Sequence, residues 1–223
     1  VYAWEFTGLD PKTGFATFKG CSSNEDEVEK SDDPATYLKY VGPADPRFNG
    51  GLSSSLRWKN LTLSAQFAFG FGNYKRLNFI FEGDNKMPSP QTNMTKEMLG
   101  RWKQEGDQSM IPGLNFSDSN DYMICTPDRS ASWKNTYTMY NYSDARIVKG
   151  DFFRCRNLML SYAVPYQFLR HMGVTAVSLG FNVTNPFTLC SSRFNGQDPE
   201  VSNTGSVALP ITQAYSLSLN VSF

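Results

Sequence analysis

The chain lacks several features that common classes of protein require. None of its 223 residues lies in a run that approaches the about 18–20 consecutive apolar residues of a membrane helix. Strands that alternate apolar and polar residues can still cross a membrane as a barrel, so that architecture stays open. The formal net charge is zero, which removes the electrostatic case for binding nucleic acid.

The sequence is also poor in residues typical of catalytic and metal sites. It contains one histidine, His171, so almost no residues are available to form a histidine metal cluster or a Ser-His-Asp triad. Its cysteines form no CxxC pair, which argues against a zinc site. They can be free thiols, or they can form one or two disulfides. The four are Cys21, Cys125, Cys155 and Cys190. We therefore predict no catalytic residue, no metal and no cofactor.

What the sequence does contain is alternation with a period of two, which is clearest in the last nine residues. The residues between the apolar positions are serine or asparagine, whereas soluble edge strands usually carry a charge that blocks pairing. The pattern predicts a strand with lipid on one side and a lumen on the other, ending on an aromatic residue. The last strand of a soluble sandwich is the alternative interpretation. The apolar positions are Tyr215, Leu217, Leu219, Val221 and Phe223.

Other segments show the same alternation, and together they predict five strands. Four of the five have 12–14 residues, while ordinary strands average about 5–6 and a strand tilted across a bilayer needs at least about 9–11. Only Lys59 and Asn60 separate the first two, which indicates a tight hairpin. The predicted strands are about 50–58, 61–72, 151–163, 174–187 and 210–223.

The predicted connections alternate in length. Those at 59–60 and 165–173 are short, and those at 73–150 and 188–209 are long and polar. Counting back from the C-terminus places both short turns at one end of the sheet and both long loops at the other. Short periplasmic turns and long extracellular loops are the rule for outer-membrane barrels. We therefore predict an all-β fold, formed by the C-terminal strands of a large antiparallel transmembrane β-barrel with long extracellular loops.

This interpretation divides the chain into an extracellular loop region, 1–49, and barrel strands within 50–223, with 73–150 as a long extracellular loop. Five strands are too few to close a barrel, for which about eight is the small end. The chain also begins at Val1 without a methionine or a signal peptide. We expect a mature or internal fragment whose missing strands precede this residue. A short helix is predicted at 95–103 within the long loop.

Aromatic side chains in the long loop can stack on sugar rings or bury the surface of a partner. We predict that they contact a ligand or a lid protein, and a small core within the loop itself is the alternative. The residues are Trp102, Trp133, Tyr137, Tyr140 and Tyr142.

Two carboxylates, Asp198 and Glu200, lie close together in the predicted loop 188–209. A cation site or a glycosidase-like acid pair is one interpretation. Turn chemistry is the favoured one, because Asp-Pro initiates turns and glycine permits positive φ. The Asp-Pro pairs at Asp10 and Asp45 have the same interpretation.

Arg154 and Arg156 are predicted to share a strand face with Leu158 and Tyr162. An arginine facing lipid at the bilayer midplane would cost about 2–4 kcal/mol. We therefore expect both arginines to lie above the membrane, where the strand continues toward the extracellular loop.

Five segments carry recognisable motifs, in the order 8–14 (GLDPKTG), 40–52 (YVGPADPRFNGGL), 149–165 (KGDFFRCRNLMLSYAVP), 185–188 (NPFT) and 196–201 (GQDPEV). They cover most of the chain and resemble the C-terminal quarter or so of SusC/RagA-like TonB-dependent outer-membrane transporters. The third motif is the most specific, and Cys155 departs there from the usual leucine of the family.

The resemblance implies a barrel of about 22 strands in a Bacteroidetes-type bacterial outer membrane, in contact with lipid. The rest of the barrel, its plug and the segment that contacts TonB lie outside this chain. A SusD-like lipoprotein would cover the extracellular mouth as a lid. Such pairs import oligosaccharides or peptides, by capture between lid and barrel and then TonB-driven rearrangement of the plug. The alternation ending at Phe223 resembles the signal that the barrel-assembly machinery recognises.

Two other classes of protein compete with this interpretation. A soluble, secreted carbohydrate-binding β-sandwich would fold in water without detergent. A glycoside hydrolase needs a carboxylate pair held on rigid elements, and the predicted strands carry almost none. We therefore predict that the chain is not an enzyme.

Overall fold

The computed structural model describes residues 1–28, 33–80, 91, 94–114, 122–125, 133–170, 173–201 and 209–223. His171 lies outside these residues. The described chain divides into two compact units. The sheet unit contains Asp45–Asn73, Lys149–Val201 and Leu209–Phe223, and the loop unit contains Val1–Ala44 and Tyr74–Val148.

Strands strongly outnumber helices among the described residues, so the prediction of an all-β fold is confirmed. The strands are β1 (Tyr2–Trp4), β2 (Phe6–Leu9), β3 (Ala16–Phe18), β4 (Leu38–Tyr40), β5 (Phe48–Trp58), β6 (Leu61–Phe71), β7 (Tyr74–Arg76), β8 (Tyr122–Met123), β9 (Lys134–Asn135), β10 (Ile147–Lys149), β11 (Phe152–Ala163), β12 (Ala176–Cys190) and β13 (Ala214–Ser222). The α-helices are α1 (Thr136–Asn141) and α2 (Tyr166–Leu169). Short 3-10 helices span Glu25–Glu27, Pro34–Thr36, Lys96–Gly100, Asp144–Arg146 and Ser192–Phe194.

The sheet unit is one antiparallel sheet of five strands in the order β13-β12-β11-β6-β5. Each strand therefore lies beside the strand that follows it within this unit, and the described sheet is open rather than closed on itself. The hairpin between β5 and β6 turns at Lys59, whose φ of 52° is in the left-handed region. Asn60 then donates a hydrogen bond from its side chain to the Ala163 carbonyl at 2.9 Å, which fastens this turn to the end of β11.

Strand register places apolar side chains opposite one another. Residues directly opposite in an antiparallel pair project to the same face. Leu56 pairs with Leu63, Leu63 with Leu160, and Leu160 with Phe181. Phe181 in turn pairs with Leu217, so one row of apolar side chains crosses all five strands. We call this side of the sheet the apolar face, and the other side the polar face.

A β-bulge in β11 changes the face on which one predicted arginine lies. Against β6, Cys155 pairs with Phe67 and Asn157 pairs with Gln66, which leaves Arg156 as the extra residue. An extra residue inverts the alternation on one side of the bulge. Arg154 therefore pairs with Ala68 and lies on the polar face, opposite to Leu158. The prediction that Arg154 shares a face with Leu158 and Tyr162 is wrong, because strict alternation has no place for a bulge.

The loop unit has a small core of its own. Its strands pair two by two, as β1 with β4, β2 with β3, β7 with β10 and β8 with β9. A disulfide joins Cys21 to Cys125 across 104 positions of sequence, while Cys155 and Cys190 are free. The buried core residues are Ala16, Phe18, Ile80, Met98, Cys125, Tyr137, Met139 and Tyr140.

The helix predicted at 95–103 is shorter and tighter than expected. It is a 3-10 helix over Lys96–Gly100, and Thr95 precedes it without a capping hydrogen bond from its side chain. The Thr95 hydroxyl instead donates to the Ile80 carbonyl at 3.4 Å. A hydroxyl that makes this tertiary bond is not available to cap the helix.

No helix in the described ranges has the length and apolarity needed to cross a bilayer. Within the same ranges, no group of three or more histidine, cysteine, aspartate or glutamate side chains is arranged to hold a metal ion.

Candidate functional site

The apolar face is the most extensive surface that the sheet unit offers. Many of its large side chains are exposed, with Leu56 at 67% and Leu217 at 80% of full exposure on the two edge strands, while Val183 on β12 is buried. Contiguous exposed apolar surface beyond a few hundred Å² marks interaction with a protein or a membrane. No charged residue occupies this face along the paired segments of the five strands. At about 3.3 Å per residue and a tilt of about 45°, strands of 11 residues span roughly 25 Å, the height of a barrel's lipid-facing band.

Exposed aromatic residues mark the end of the sheet at which the short turns lie. Trp58 closes β5, Tyr162 lies near the end of β11, and Tyr166 and Phe168 belong to the short connection after it. Each of these rings is exposed, and Phe223 is exposed by 89% beside the same end. Aromatic girdles of this kind lie at the interface between lipid and water in membrane barrels.

The residues predicted to form an assembly signal lie together on β13 and just beyond it. Tyr215 pairs with Val183, Leu219 with Leu179, and Val221 with Val177, so these positions are on the apolar face. All the residues of β13 are exposed, because it is an edge strand of the described sheet. The recognition role itself stays a prediction.

A buried ion cluster lies on the polar side of β11. The Arg154 guanidinium donates to Asp198 at 2.5 Å and also pairs with Glu200. Glu200 pairs in addition with Arg156, so one carboxylate connects the two guanidinium groups. Arg154 is 2% exposed, which makes it one of the most buried side chains in the chain.

Several hydrogen bonds hold Asp198 in its charged form. Burial by itself raises the pKa of its carboxyl, but the hydrogen bonds from Arg154 and from the Glu200 and Ile211 amides outweigh burial and lower the pKa. The Glu200 amide donates at 2.9 Å, which is the expected turn chemistry, and the Ile211 amide donates at 3.1 Å. The carboxylate is thus fully engaged by partners within the chain. This arrangement favours a structural role for Asp198 over cation binding or acid–base catalysis.

Beside this cluster lies an open cavity of about 450 Å³. Arg154 and Asp198 form part of its wall, and Asn185, Phe187 and Phe194 lie around it. Asn185 adopts a φ of 52° at an irregularity in β12, which separates the ladder positions of Thr184 and Phe187. The sequence alone did not indicate this cavity, because the loop and the bulge that create it come from distant segments.

The predicted loop aromatics divide into buried and exposed groups. Tyr137 and Tyr140 are 1% and 3% exposed, and their hydroxyls donate to the carbonyls of Pro112 and Met110. Burial raises the pKa of the Tyr137 hydroxyl, which stays a neutral donor. Both rings belong to the core of the loop unit and present almost no surface to a ligand. The alternative of a small core therefore accounts for these two tyrosines.

Trp133 and Tyr142 are exposed, so both could contact a ligand or a lid protein, and that contact stays a prediction. The Tyr142 ring stacks against the guanidinium of Arg76 at 4.9 Å, which orients it. Trp102 is half-buried. A Cβ atom added to Gly14 would lie 2.1 Å from its ring, so Trp102 and Gly14 are in close contact.

An exposed tyrosine pair was missed by the sequence argument. Tyr2 and Tyr40 lie opposite each other on β1 and β4, with ring centroids 5.2 Å apart. Both are more than half exposed. The only sequence signal was a tyrosine in each of two short segments, and their pairing depends on the tertiary fold.

No protein-family model and no curated protein sequence matches this chain. Several solved structures do match it. A chain of the RagAB peptide importer in the open-open state superposes with a TM-score of 0.65 at 22% identity. A further RagAB peptide transporter structure gives 0.66 at 21%, and the importer in the closed-closed state gives 0.65 at 20%. The matches cover all of this chain but only 22%, 22% and 23% of those chains. The likeness shows that this chain shares the fold of part of these importer chains.

Proposed function

We propose that the chain is the C-terminal wall segment of a SusC/RagA-like TonB-dependent importer in a bacterial outer membrane. The observation that carries the proposal is the uncharged apolar face across five long strands, in which the long connections from β6 to β11 and from β12 to β13 both start and finish at the same end of the sheet. The fold shared with RagAB chains supports the same assignment.

In this proposal the chain supplies part of the barrel wall and part of the extracellular vestibule. A SusD-like lipoprotein would close over the vestibule, and the rest of the barrel, the plug and the TonB-contacting segment would come from residues outside this chain. The exposed aromatic side chains Tyr2, Tyr40, Trp133 and Tyr142 would contact the lid or the cargo. The cargo would be an oligosaccharide or a peptide. The structural neighbours are importers of peptides, which favours a peptide.

The chain would act in transport without catalysing a reaction. Asp198 and Glu200, the closely spaced carboxylates on which a hydrolase would depend, are both engaged by arginines. A retaining or inverting glycosidase needs one carboxyl group to donate a proton and the other to act as nucleophile or base. Arg154 favours the ionised form of Asp198, which opposes a proton-donor role for that residue, and two arginines occupy the Glu200 carboxylate within the chain.

The rival proposal is a soluble, secreted carbohydrate-binding β-sandwich. A sandwich buries the apolar face of each sheet against a second sheet about 10 Å away. Here Leu56 and Leu217 remain more than 60% exposed in the chain. A soluble protein with this surface would be an aggregation liability, which favours the membrane proposal.

Spin labels at adjacent strand positions test the proposal. Leu160 and Ser161 lie on opposite faces of β11, because their β6 partners are Leu63 and Thr62. Single-cysteine variants Leu160→Cys and Ser161→Cys would be made in the full-length protein, with Cys155→Ser and Cys190→Ser removing the free thiols. After reconstitution in lipid, we expect a label at 160 to collide with oxygen and to be shielded from a water-soluble nickel complex. A label at 161 should lack this lipid signature. Equal access of the nickel complex to both labels would reject the membrane wall.

A further inference from the structure

The rim of the apolar face at its long-loop end contains a second open cavity of about 540 Å³. Phe71, Phe153 and Leu189 form its apolar floor. Register places them on the apolar face, since Phe153 pairs with both Phe69 and Leu189, and Phe71 pairs with Phe48. The floor is therefore continuous with the surface that we assign to lipid. Phe71 and Leu189 are 41% and 61% exposed, so the floor is open to an occupant.

The charges that line this cavity lie where the strands end. Lys149 is the last residue of β10, and Arg193 lies in the 3-10 helix that follows β12; both are exposed. The lining also contains one carboxylate, Asp151, which accepts a hydrogen bond from the Gly72 amide at 2.6 Å. Two cations and one carboxylate give the lining a formal charge of +1. The cavity thus combines an apolar floor on the lipid side with excess positive charge beyond the strand ends.

We propose that this cavity binds the phosphate-bearing headgroup of a membrane lipid, with Lys149 and Arg193 on the phosphate and an acyl chain on the floor. The inference rests on the proposed membrane location of the apolar face. A cationic rim directly above an apolar band suits an anionic amphiphile, since each part of the cavity is complementary to one part of that molecule. A soluble anion would use the cations and leave Phe153 and Leu189 without a role.

Native mass spectrometry of the detergent-solubilised protein tests the charge requirement. The protein would be titrated with dioleoyl phosphatidic acid and with dioleoylglycerol, which has the same chains but no phosphate. The variant Lys149→Gln/Arg193→Gln should lose roughly 10- to 30-fold in apparent affinity for phosphatidic acid. Its affinity for dioleoylglycerol should not change. Equal affinity of the variant and the unaltered protein for phosphatidic acid would overturn the inference.

A matched control removes two positive charges at the opposite end of the sheet. Arg57→Gln/Lys59→Asn has the same change in net charge, and asparagine suits the positive φ of 52° at Lys59. This control should bind phosphatidic acid as the unaltered protein does. If it loses as much affinity as the Lys149/Arg193 variant, net charge rather than the cavity determines binding, and the site is rejected.

The free thiol of Cys190 separates a lipid from a small anion. Cys190 lines the same cavity and is exposed, so a maleimide can report on occupancy. Phosphatidic acid in micelles should slow the labelling, and inorganic phosphate at equal concentration should not. Equal protection by inorganic phosphate would assign the cavity to a soluble anion and overturn the lipid assignment. Leu189→Asn, which alters only the floor, should weaken the protection by phosphatidic acid.

The two proposals can fail separately. Labels at 160 and 161 that report lipid, together with an unaffected Lys149/Arg193 variant, would leave the membrane wall standing without this headgroup site. Labels that both report water would remove the basis of both proposals.

Discussion

Arg154 on β11 and Asp198, 44 positions later, form a buried ion pair with 2.5 Å between the guanidinium nitrogen and the carboxylate oxygen. Because Asp198 also accepts hydrogen bonds from the Glu200 and Ile211 amides, it holds backbone on both sides of residues 202–208. The pair therefore fastens the connection between β12 and β13 to the wall strand β11. Removal of one partner of a buried pair leaves the other charge without compensation.

Replacing Asp198 by asparagine should loosen this connection. We expect Asp198→Asn to lower the local opening free energy by about 1.5–3 kcal/mol, the cost of losing a hydrogen bond between charged groups, because Arg154 keeps Glu200 as an anionic partner. Hydrogen exchange of residues 192–201, followed by mass spectrometry in detergent, measures the change. Asp45→Asn is the matched control, because Asp45 is an exposed member of another Asp-Pro pair and should change stability by less than about 0.5 kcal/mol. Equal exchange in the two variants would contradict the role given to the ion pair.

The same pair predicts a pH dependence. The pKa of the Asp198 carboxyl is lowered from 3.8 in the folded state, so the unfolded state binds the proton more readily. The stabilisation is therefore complete above about pH 3.8 and is lost as the pH falls through the lower, folded pKa. The difference in protection between the unaltered protein and Asp198→Asn should be constant near neutral pH and should shrink below about 3.8. A difference that instead shrinks between pH 5 and 7 would show that another group is responsible.

The face of Arg154 shows what alternation in the sequence can and cannot predict. On β13, apolar and polar residues alternate without a break from Tyr215 to Ser222, and the pairing of that strand with β12 shows no bulge. In β11 the alternation fails at the bulge, where apolar and charged residues follow one another as Phe152-Phe153-Arg154-Cys155-Arg156. The partners of the arginines on either side of Cys155, Asp198 and Glu200, are remote in sequence. Period-two reasoning therefore predicts the strand but gives the wrong face for one of its arginines.

The disulfide should stabilise the loop unit and leave the sheet unit unaffected. Cys21 and Cys125 close a loop of 104 positions, for which loop entropy predicts about 4.7 kcal/mol in the unfolded-state model. Cys21→Ser/Cys125→Ser should raise hydrogen exchange in β2, β3 and β8, while β11 and β12 keep their protection. Cys190→Ser is the control, because Cys190 is a free thiol and its loss breaks no crosslink. Peptide mapping without reduction should recover residues 21 and 125 in one linked pair, and finding them alkylated separately would contradict the bond.

Spacing of the cysteines could not predict this bond, since four cysteines offer six possible single bonds and three ways to form two bonds, and none is favoured by sequence distance. The burial of Tyr137 and Tyr140 could not be predicted from the sequence either. Both lie in a polar loop beside Tyr142, which is exposed, and only the packing of α1 on β3 distinguishes the core positions from the surface one.

A substitution at Gly14 tests the close contact between the β2–β3 connection and Trp102. Its φ is +71°, and a Cβ atom would lie 2.1 Å from the Trp102 ring, so Gly14→Ala combines backbone strain with a clash. We expect a loss of more than about 1 kcal/mol in the stability of the loop unit, seen as faster proteolysis of that unit. Gly100→Ala is the matched control, because no atom lies within 4 Å of its added Cβ and its backbone is not in the left-handed region. Similar proteolysis of both variants would show that the close contact between Gly14 and Trp102 does not stabilise the loop unit.

The apolar face of β13 has two proposed roles, contact with lipid and recognition by the assembly machinery, and three arginine variants separate them. Leu217 lies on the apolar face, Ser216 on the polar face of the same strand, and Leu179 on the apolar face of β12. If lipid surrounds the apolar face, Leu217→Arg and Leu179→Arg should each cost up to about 2–4 kcal/mol and lower the yield of folded barrel, while Ser216→Arg should be tolerated. The shift in gel mobility between heated and unheated samples measures that yield.

Suppose only Leu217→Arg fails to give folded barrel. The C-terminal stretch would then act as a recognition signal, because Leu179 lies outside it yet would share any cost of burying charge in lipid. Failure of Ser216→Arg alongside Leu217→Arg would show that β13 tolerates charge on neither face, and the division into lipid and lumen sides would be lost.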